Sequence, residues 1–546
     1  MTSRRSLQFP LPSKSASGRS DVVHIANPMT VEQRIARARA QADAGVFQDL
    51  VAARTARTGR PRKVPVDAVA AAVLFHAMSS PNKMHIRQVM RAIALLRPFE
   101  LQRLGFPGGV RPTYRQVLSG VHALIGAATR GAHVRHNHEL RADAETGEVF
   151  ACPLQCPAMR SGLDQVATAI IQTSLPDSAL RSTSVALDGT DIESHTTARA
   201  KFIDADGRER CPTDPDARWG KRTATPQHPT EMYVGYEAHL ATYVPAIGAD
   251  SIPQLTARLA LRPGITDRAR AALTLIDLLG NLDEVLLDRG YSTAKALSLA
   301  RPLRERNIAI TMDLHTSQRG THPGPVAGTL WRDGHLYTSA LPPGLVELEP
   351  SGPADSAAKK AASRHEFDKR IPFQFTVHSR HDDTRRTQRF KGPALAKHVR
   401  CANNPESMRL PYSVPTTTCV QGVPCGCSKV VTIRDTDLER DRQPLPWQST
   451  PWTLSFNRRS LVEGLNAQVK SNNLRISRGF FHMTGLGATT LLLAFTLAGR
   501  NTERLHAWYT ARGLPEPWQV QLGEPPDVRP LDRHTRTRGY RQRKPD

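Results

Sequence analysis

The sequence has few cysteines and no long apolar run. Seven cysteines in 546 residues are too few for a disulfide framework. The apolar stretch around residues 491–495 covers about a dozen positions, whereas a helix that spans a membrane needs roughly 20. No apolar signal-peptide core follows Met1. We therefore expect a cytoplasmic protein that does not enter a membrane.

Acidic residues are also comparatively scarce. Lys and Arg total 74 against 50 Asp and Glu, which gives a formal net charge of +24. Such an excess attracts polyanions, because each phosphate that a protein neutralises releases condensed counterions. Nucleic acid is the expected partner, and an anionic membrane is the alternative, although no basic amphipathic helix dominates the chain. At this length we expect about two to four domains.

The segment from Phe456 to Lys470 places one carboxylate among spaced cations. Arg459, Glu463 and Lys470 occupy positions i, i+4 and i+11, so on a single helix they would lie within a limited arc of one face. Such a face can bind a metal ion and a phosphate together. An exposed helix with one Arg–Glu pair is the simpler alternative.

Two upstream segments each end an aliphatic run with an aspartate close to a glycine. Asp188 follows residues 184–187, and Asp288 follows residues 285–287. Each segment is typical of a buried strand that carries an acid at its end. Burying a carboxylate in apolar surroundings costs free energy unless the carboxylate is paired with a cation or accepts hydrogen bonds. Two such strands therefore suggest a shared metal site. For the segment that ends at Asp288, the alternative is an ordinary ion pair with Arg289.

The spacing aromatic-x2-Arg-x3-Glu-x6-Lys in the segment from Phe456 to Lys470 resembles the Tyr-Arg-Glu-Lys signature of bacterial DDE-type insertion-sequence transposases. Phe456 stands where that signature has Tyr, so one hydroxyl that could contact a phosphate is missing. The resemblance implies an RNase H-like core in which Asp188, Asp288 and Glu463 are the catalytic residues. These carboxylates would hold a pair of Mg²⁺ or Mn²⁺ ions for strand cleavage and strand transfer.

The resemblance also implies the partners of the chain. These are double-stranded DNA, both the inverted-repeat ends of the transposon and the target, and a second copy of the chain in a homodimer on DNA. Arg459 and Lys470 would contact phosphates near the cut, with Phe456 beside them, in a nucleoid-associated protein of the bacterial cytoplasm. The alternatives are a catalytically inactive, transposase-derived DNA-binding protein and a structure-selective nuclease of the same fold.

The order of elements predicts an α/β fold: an RNase H-like mixed sheet flanked by helices, with an inserted β-rich domain and an N-terminal helical domain. Strands are expected at 231–244, 256–261, 284–287 and 307–312, and helices at 267–279 and 293–306. The predicted division is a disordered basic segment (1–25), a helical DNA-binding or dimerisation domain (26–130), a linker (131–180), the catalytic core (181–314 and 452–505), the insertion domain (315–451) and a disordered basic tail (520–546).

Arg60 and Arg62 flank Pro61 just before the first strongly apolar helix of the N-terminal domain. An extended Arg-Pro-Arg segment can follow a narrow minor groove of high negative potential. We therefore consider both arginines candidate DNA-binding residues. A solvated basic linker is the alternative.

Two expectations concern the insertion domain. The resemblance implies that it helps to hold a flipped base at the transposon end, with Trp331 or Trp452 as the stacking side chain. Four cysteines also fall within 27 residues, and thiolates gathered in this way can hold a structural Zn²⁺. They are Cys401, Cys419, Cys425 and Cys427. Their spacing departs from the usual Cys-x2-Cys pair, so reduced, unligated thiols are the simpler interpretation.

Overall fold

The computed structural model describes residues 28–52, 62–79, 82–129, 156–196, 202–203, 209–210, 214, 216–222, 230–264, 267–352, 354–467, 469 and 476–525. The basic segment 1–25, Arg60, Lys470 and residues 526–546 of the predicted tail lie outside these ranges. All structural statements below concern the described residues.

The first described elements are helices that bury long apolar faces. They are α1 (Val31–Ala42), α2 (Val46–Ala52), α3 (Val66–Ala77), α4 (Ile86–Ala94), α5 (Pro98–Arg103), α6 (Tyr114–Ala128) and α7 (Cys156–Gln172). Thr30 and Thr113 open α1 and α6 with capping boxes, in which their side chains accept from backbone N–H groups left free in the first turn. The predicted helical character of residues 26–130 is confirmed for the described part of this region. The assignment of 131–180 as an irregular linker is wrong for α7.

A mixed sheet follows. Its region comprises β1 (Ser184–Glu193), β2 (Phe202–Ile203), β3 (Glu209–Arg210), β4 (Arg218–Arg222), β5 (Glu231–Val244), β6 (Thr256–Pro263), α8 (Arg268–Leu279), β7 (Glu284–Leu287), α9 (Arg289–Ser292), α10 (Ala300–Glu305) and β8 (Ala309–Met312). The predicted bounds of β5 and β7 agree with the structure. The predicted helix at 293–306 does not, because the backbone turns sharply at Leu299 (φ −146°, ψ −61°) before α10 begins.

Six of these strands form one sheet in the order β4-β5-β1-β7-β8, with β6 on the same edge of β5 as β4. β1 is antiparallel to β5, whereas β1, β7 and β8 run parallel to one another. The strands are flanked by helices, so the α/β fold class is confirmed.

Residues 315–451 add two small antiparallel sheets. Their elements are β9 (Thr321–Pro323), β10 (Thr329–Arg332), β11 (His335–Thr338), α11 (Pro343–Val346), α12 (Ala357–Asp368), β12 (Thr376–Val377), β13 (Thr387–Lys391), α13 (Pro405–Met408) and β14 (Val430–Arg434). β9, β10 and β11 form one three-stranded sheet, and β12, β13 and β14 form the other. Long loops connect them.

The chain then returns to the large sheet through α14 (Thr450–Phe456), α15 (Ser460–Ala467), α16 (Leu486–Thr510) and α17 (Pro517–Leu522). α16 is buried along most of its length and packs against α3, α7 and β6. The N-terminal helices and the sheet therefore share one hydrophobic core. α17 also extends into the segment predicted as disordered from residue 520. Among the described helices, α16 included, none has both the length and the apolar character needed to cross a membrane.

Candidate active site

Two of the three predicted acids meet at one edge of the sheet. The parallel pairing of β1 with β7 ends at Leu187 opposite Leu287, and Asp188 and Asp288 are the next residues on the two strands. Neighbouring strands lie about 4.8 Å apart, so this register places the acids side by side. β1 itself continues to Glu193, so the prediction that the strand ends at Asp188 is wrong. Only its pairing with β7 ends there, because Asp288 caps α9.

A glycine close to each aspartate makes room for other charged side chains. A Cβ at Gly189 would lie 2.7 Å from Glu237 Oε1, and a Cβ at Gly290 would lie 2.5 Å from Arg268 Nη1. Glu237 Oε1 and Arg268 Nη2 form an ion pair of 2.9 Å. The Gly290 N–H also donates to Asp288 Oδ1 at 2.6 Å. The edge of the sheet thus holds a further carboxylate and a guanidinium beside the two aspartates.

Glu463, the third predicted acid, lies on α15. This helix packs against β1 and β5 and buries Val462 and Leu465. The Glu463 side chain is 53% exposed. The prediction of a single helix through the segment from Phe456 to Lys470 is wrong, because a 3-10 turn at Asn457–Arg459 separates α14 from α15.

Arg459 connects Glu463 with Asp188. Its guanidinium forms an ion pair with Glu463, and its Nη1 lies 3.9 Å from Asp188 Oδ2. The guanidinium carbon also lies 5.3 Å from the ring centroid of Phe456, which stacks on Trp452 with centroids 4.6 Å apart. Phe456 therefore supports Arg459 through its ring, and this contact needs no hydroxyl.

Asn466 is a neutral member of the site. It lies three residues beyond Glu463 on α15, and its Nδ2 donates to Asp188 Oδ2 at 2.8 Å. Its Oδ1 is buried and has no hydrogen-bond partner in the described part of the chain. A buried amide oxygen without a donor is costly, so a cation bound beside it would supply the missing partner.

Negative charge is crowded at this edge. Burial, and after it the charge of Asp288, raise the pKa of Asp188 to about 6 despite the opposing effects of Arg459, the Gly189 N–H and Asn466. Burial also raises the pKa of Glu237. The ionised carboxylates are thus disfavoured without a cation, and a divalent ion would relieve this.

The side chains present fit a hard divalent cation, since Mg²⁺ prefers carboxylate and amide oxygens. Asp188, Asp288 and Asn466 provide them. Glu463 does not complete the set in this conformation, because it is paired with Arg459. Within the described ranges, four cysteines are the one group of three or more Cys, His, Asp or Glu side chains placed to hold an ion together. The predicted convergence of all three acids is therefore not present.

The structure describes one arginine of the Arg-Pro-Arg segment. Arg62 is exposed, and its Nη1 donates to the Ser119 carbonyl oxygen on α6 at 3.1 Å. Arg60 and Lys470 lie outside the described residues, so their predicted DNA contacts stay predictions.

The expectation that Trp331 or Trp452 stacks on a flipped base is wrong for this conformation. The two residues are only 6% and 4% exposed. Trp331 packs in the small core between the two sheets of residues 315–451, and one face of Trp452 is covered by Phe456.

Three residues of the site were missed in the sequence. Asn466 gave a usable signal, because it lies one helical turn from Glu463 in the same segment. Glu237 and Arg268 gave none, since their place beside the aspartates depends on sheet register.

Comparison of the chain with protein-family models, curated proteins and solved structures found no match.

Proposed function

We propose that this protein is a DDE-type transposase that cuts the ends of an insertion sequence and joins them to target DNA by metal-dependent phosphoryl transfer. The observation that carries the proposal is the register of β1 and β7, which sets Asp188 beside Asp288 while α15 brings Glu463 across β1. Asp188 and Asp288, 100 residues apart, thus meet at one edge of the sheet, and Glu463, 175 residues further on, lies on a helix packed against β1 and is linked to Asp188 through Arg459.

The strand order supports an RNase H-like core. Three antiparallel strands, β6, β5 and β1, are followed by the parallel strands β7 and β8. This order is compatible with the RNase H-like sheet that the proposal requires. In this proposal residues 181–314 and 452–505 form the catalytic core, and residues 315–451 are an insertion between β8 and α14.

Each chemical group of the site has a place in this activity. Asp188, Asp288 and Glu463 would hold Mg²⁺ or Mn²⁺, which would supply charge stabilisation for a scissile phosphate and activation of the attacking oxygen. Asn466 orients the Asp188 carboxylate, and the Gly290 N–H at the start of α9 orients Asp288. Asp188 and Asp288 are therefore oriented before DNA binds, which lowers the reorganisation required during the reaction, whereas Glu463 must exchange its ion pair with Arg459 for the metal.

Positive charge supports a DNA partner. Arg459 is held between two acids and against an aromatic ring, which fixes a guanidinium close to the reacting phosphate. Lys470 and the overall charge of +24 would add contacts along the backbone. The partners are then transposon ends and target DNA, bound by a homodimer in which the helices of residues 26–130 contact DNA or the second copy.

The test uses linear DNA that carries the sequences flanking this gene, incubated with purified protein and Mg²⁺ or Mn²⁺. We expect metal-dependent cuts at the element ends and joined products. Asp188→Asn and Asp288→Asn should abolish both products while binding stays within about tenfold, because affinity depends mainly on basic residues. The matched control is Asp277→Asn on α8, whose side chain is 58% exposed and paired with Arg306. It should cut like the parent.

The outcomes separate the alternatives. Binding without any cut would indicate an inactive descendant of a transposase, and cuts without joined products would indicate a nuclease. Parent-like cleavage by Asp288→Asn would overturn the assignment of the site. Asp188→Asn replaces a largely buried carboxyl group whose ionised form is disfavoured. The variant should therefore have a melting temperature no lower than that of the parent in EDTA. A lower melting temperature would mean that its lost activity reports unfolding.

A further inference from the structure

Four cysteines that are separated by up to 26 positions meet in one place. Cys401 and Cys427 are buried, Cys419 and Cys425 are partly buried, and the structure contains all four as free thiols. Their Sγ atoms all lie within 4.8 Å of one another. Two of the separations are 3.7 Å, between Cys401 and Cys425, and 3.6 Å, between Cys419 and Cys427.

These separations have the size that a tetrahedral metal site requires. A zinc–sulfur bond is about 2.3 Å long, so sulfurs at the corners of a tetrahedron are about 3.8 Å apart. A disulfide would need about 2.05 Å. The observed pairs are therefore close to the edges of a zinc tetrathiolate and far from bonded sulfurs.

The backbone around the cluster is built for close approach. A Cβ at Gly426, between two of the cysteines, would lie 2.2 Å from the Gly328 carbonyl oxygen. A Cβ at Gly392 would lie 2.4 Å from the Cys427 carbonyl oxygen. Glycine at these positions lets the loops before β10 and after β13 press against the Cys425-Gly426-Cys427 turn, which fixes the direction of its two thiols.

Polar groups point at the sulfurs from outside the cluster. The Thr338 hydroxyl lies 3.1 Å from Cys427 Sγ, and Asn403 Nδ2 donates to Cys425 Sγ at 3.6 Å. Such donors are typical of the outer shell of a metal–thiolate site, where they stabilise negative sulfur and orient it.

We infer that Cys401, Cys419, Cys425 and Cys427 form a closed structural site for one Zn²⁺. All four coordination positions are taken by protein sulfur, so the site has no open position for a substrate and serves folding rather than catalysis. This inference does not depend on the proposed function, because the cluster shares no residue with the Asp188 edge.

The site would stabilise a part of the chain that has little else to hold it. The apolar cluster beside it contains only a few side chains, including Tyr337, Phe373 and Val399. Between Cys401 and Cys427 the one helix or strand among the described residues is the four-residue α13. Large apolar side chains such as Tyr412 and Val420 are exposed there. A metal that joins the ends and the middle of this loop couples its folding to zinc binding.

The first experiment measures metal in the full-length protein, purified without a metal-affinity tag under reducing conditions. We expect about one zinc per chain by elemental analysis. Cys401→Ser, Cys419→Ser, Cys425→Ser and Cys427→Ser should each lower it severalfold, whereas the control Cys211→Ser should retain it. Protein grown with Co²⁺ should show the visible bands of tetrahedral cobalt thiolate.

The second experiment does not depend on whether the serine variants fold. A mercurial reagent added to the parent should release one equivalent of zinc to a colorimetric chelator. Trypsin should then cut at Arg409, which lies exposed in the loop. Reduced parent protein that contains no zinc and resists trypsin equally before and after the reagent would overturn the inference, as would two disulfides found by mass spectrometry or iron in place of zinc.

Discussion

At the scale of single residues, Asn466 has an unusual position, because its Nδ2 donates to Asp188 while its buried Oδ1 has no hydrogen-bond partner among the residues that the structure describes. Asn466→Ala should lower DNA cleavage by about 10- to 100-fold and raise the Mg²⁺ concentration needed for half-maximal rate, as loss of an orienting group beside a metal ligand does. The measurement is cleavage rate against Mg²⁺. Asn457→Ala, an exposed asparagine in the 3-10 turn, is the control. An unchanged Mg²⁺ dependence would show that Asn466 is only structural.

His239 gives a second prediction at this scale. It is fully buried, with its Nδ1 2.9 Å from the Tyr291 hydroxyl. Burial, and after it the positive charges of Arg262 and Arg268, lower its pKa to about 3. In the unfolded chain a histidine takes up its proton near pH 6.5. As the pH falls, the unfolded state is therefore protonated first, so the stability that this residue contributes is complete above pH 6.5 and is lost progressively towards pH 3.

The expected size follows from the same shift. Between pH 7.5 and pH 5, His239 should account for a loss of about 2 kcal/mol in the free energy of unfolding. His239→Gln should remove that part of the pH dependence in urea unfolding, even if it lowers stability at both pH values. His378→Gln, at an exposed position, is the control and should keep the parent's slope. Equal slopes for the parent and His239→Gln would contradict the prediction.

At the scale of elements, the sequence was most informative where the pattern was local. The β-rich composition of β5 and the aliphatic run of β7 gave their bounds correctly. A local pattern also indicates α7, because Leu163, Val166, Ala167 and Ile170 follow helical spacing. Pro157 and Gly162, however, made its first turns resemble a loop in the sequence. Proline is tolerated in the first turn of a helix, so it was no evidence against α7.

The break before α15 has a cause that no local pattern contains. Arg458 lies in the 3-10 turn, and its Nη2 is 2.5 Å from Glu284 Oε2 on β7, 174 positions away in the sequence. The same guanidinium also donates to Ser455. A tertiary contact of this kind fixes the end of a helix independently of its propensity. The spacing of Arg459 and Glu463 was therefore read correctly, while the single helix assumed for it was not.

This ion pair provides a prediction at the element scale. Its side chains are 9% and 14% exposed, so Arg458→Ala would leave the largely buried Glu284 carboxylate without a cation and with only the Thr311 and Ser455 hydroxyls as partners in the described part of the chain, at a cost of about 3–5 kcal/mol. The matched control is Arg306→Ala, which breaks a pair that is 40% and 58% exposed and should cost less than about 1 kcal/mol. Urea unfolding of both variants gives the comparison. Similar small losses would mean that Arg458 does not fix α15 to the sheet.

At the scale of the whole molecule, the predicted division into domains captured the order of the parts but not their contacts. α1 pairs with the last described helix through Arg37 Nη2 and Glu516 Oε2, 2.7 Å apart and fully buried. α16 packs on α3 and on β6. The described helices of residues 26–130 and the sheet thus bury their apolar side chains in one shared core. Contacts between residues more than 400 positions apart depend on complementary surfaces, which one sequence read alone does not reveal.

The net charge of +24 belongs to this scale as well, because it acts through the combined field of many residues. If the partner is DNA, the logarithm of the affinity should fall linearly with the logarithm of the salt concentration, with a slope near −0.9 for each phosphate contacted. Six to ten contacts would lower affinity by about 10³- to 10⁵-fold between roughly 50 and 200 mM salt. Binding that barely changes over this range would argue against a nucleic-acid partner.

The basic C-terminal segment allows this prediction to be tested within one chain. Residues 526–546 lie outside the described residues, but their sequence contains six arginines and one lysine: Arg529, Arg533, Arg536, Arg538, Arg541, Arg543 and Lys544. Replacing all seven with glutamine in the full-length chain should make the salt slope shallower by up to about 6, because each lost phosphate contact removes about 0.9. Since chain length is preserved, the change reports charge alone. An unchanged slope would show that this segment does not contact DNA, and the phosphate contacts would then have to come from the described surface around Arg459 and from the N-terminal helices.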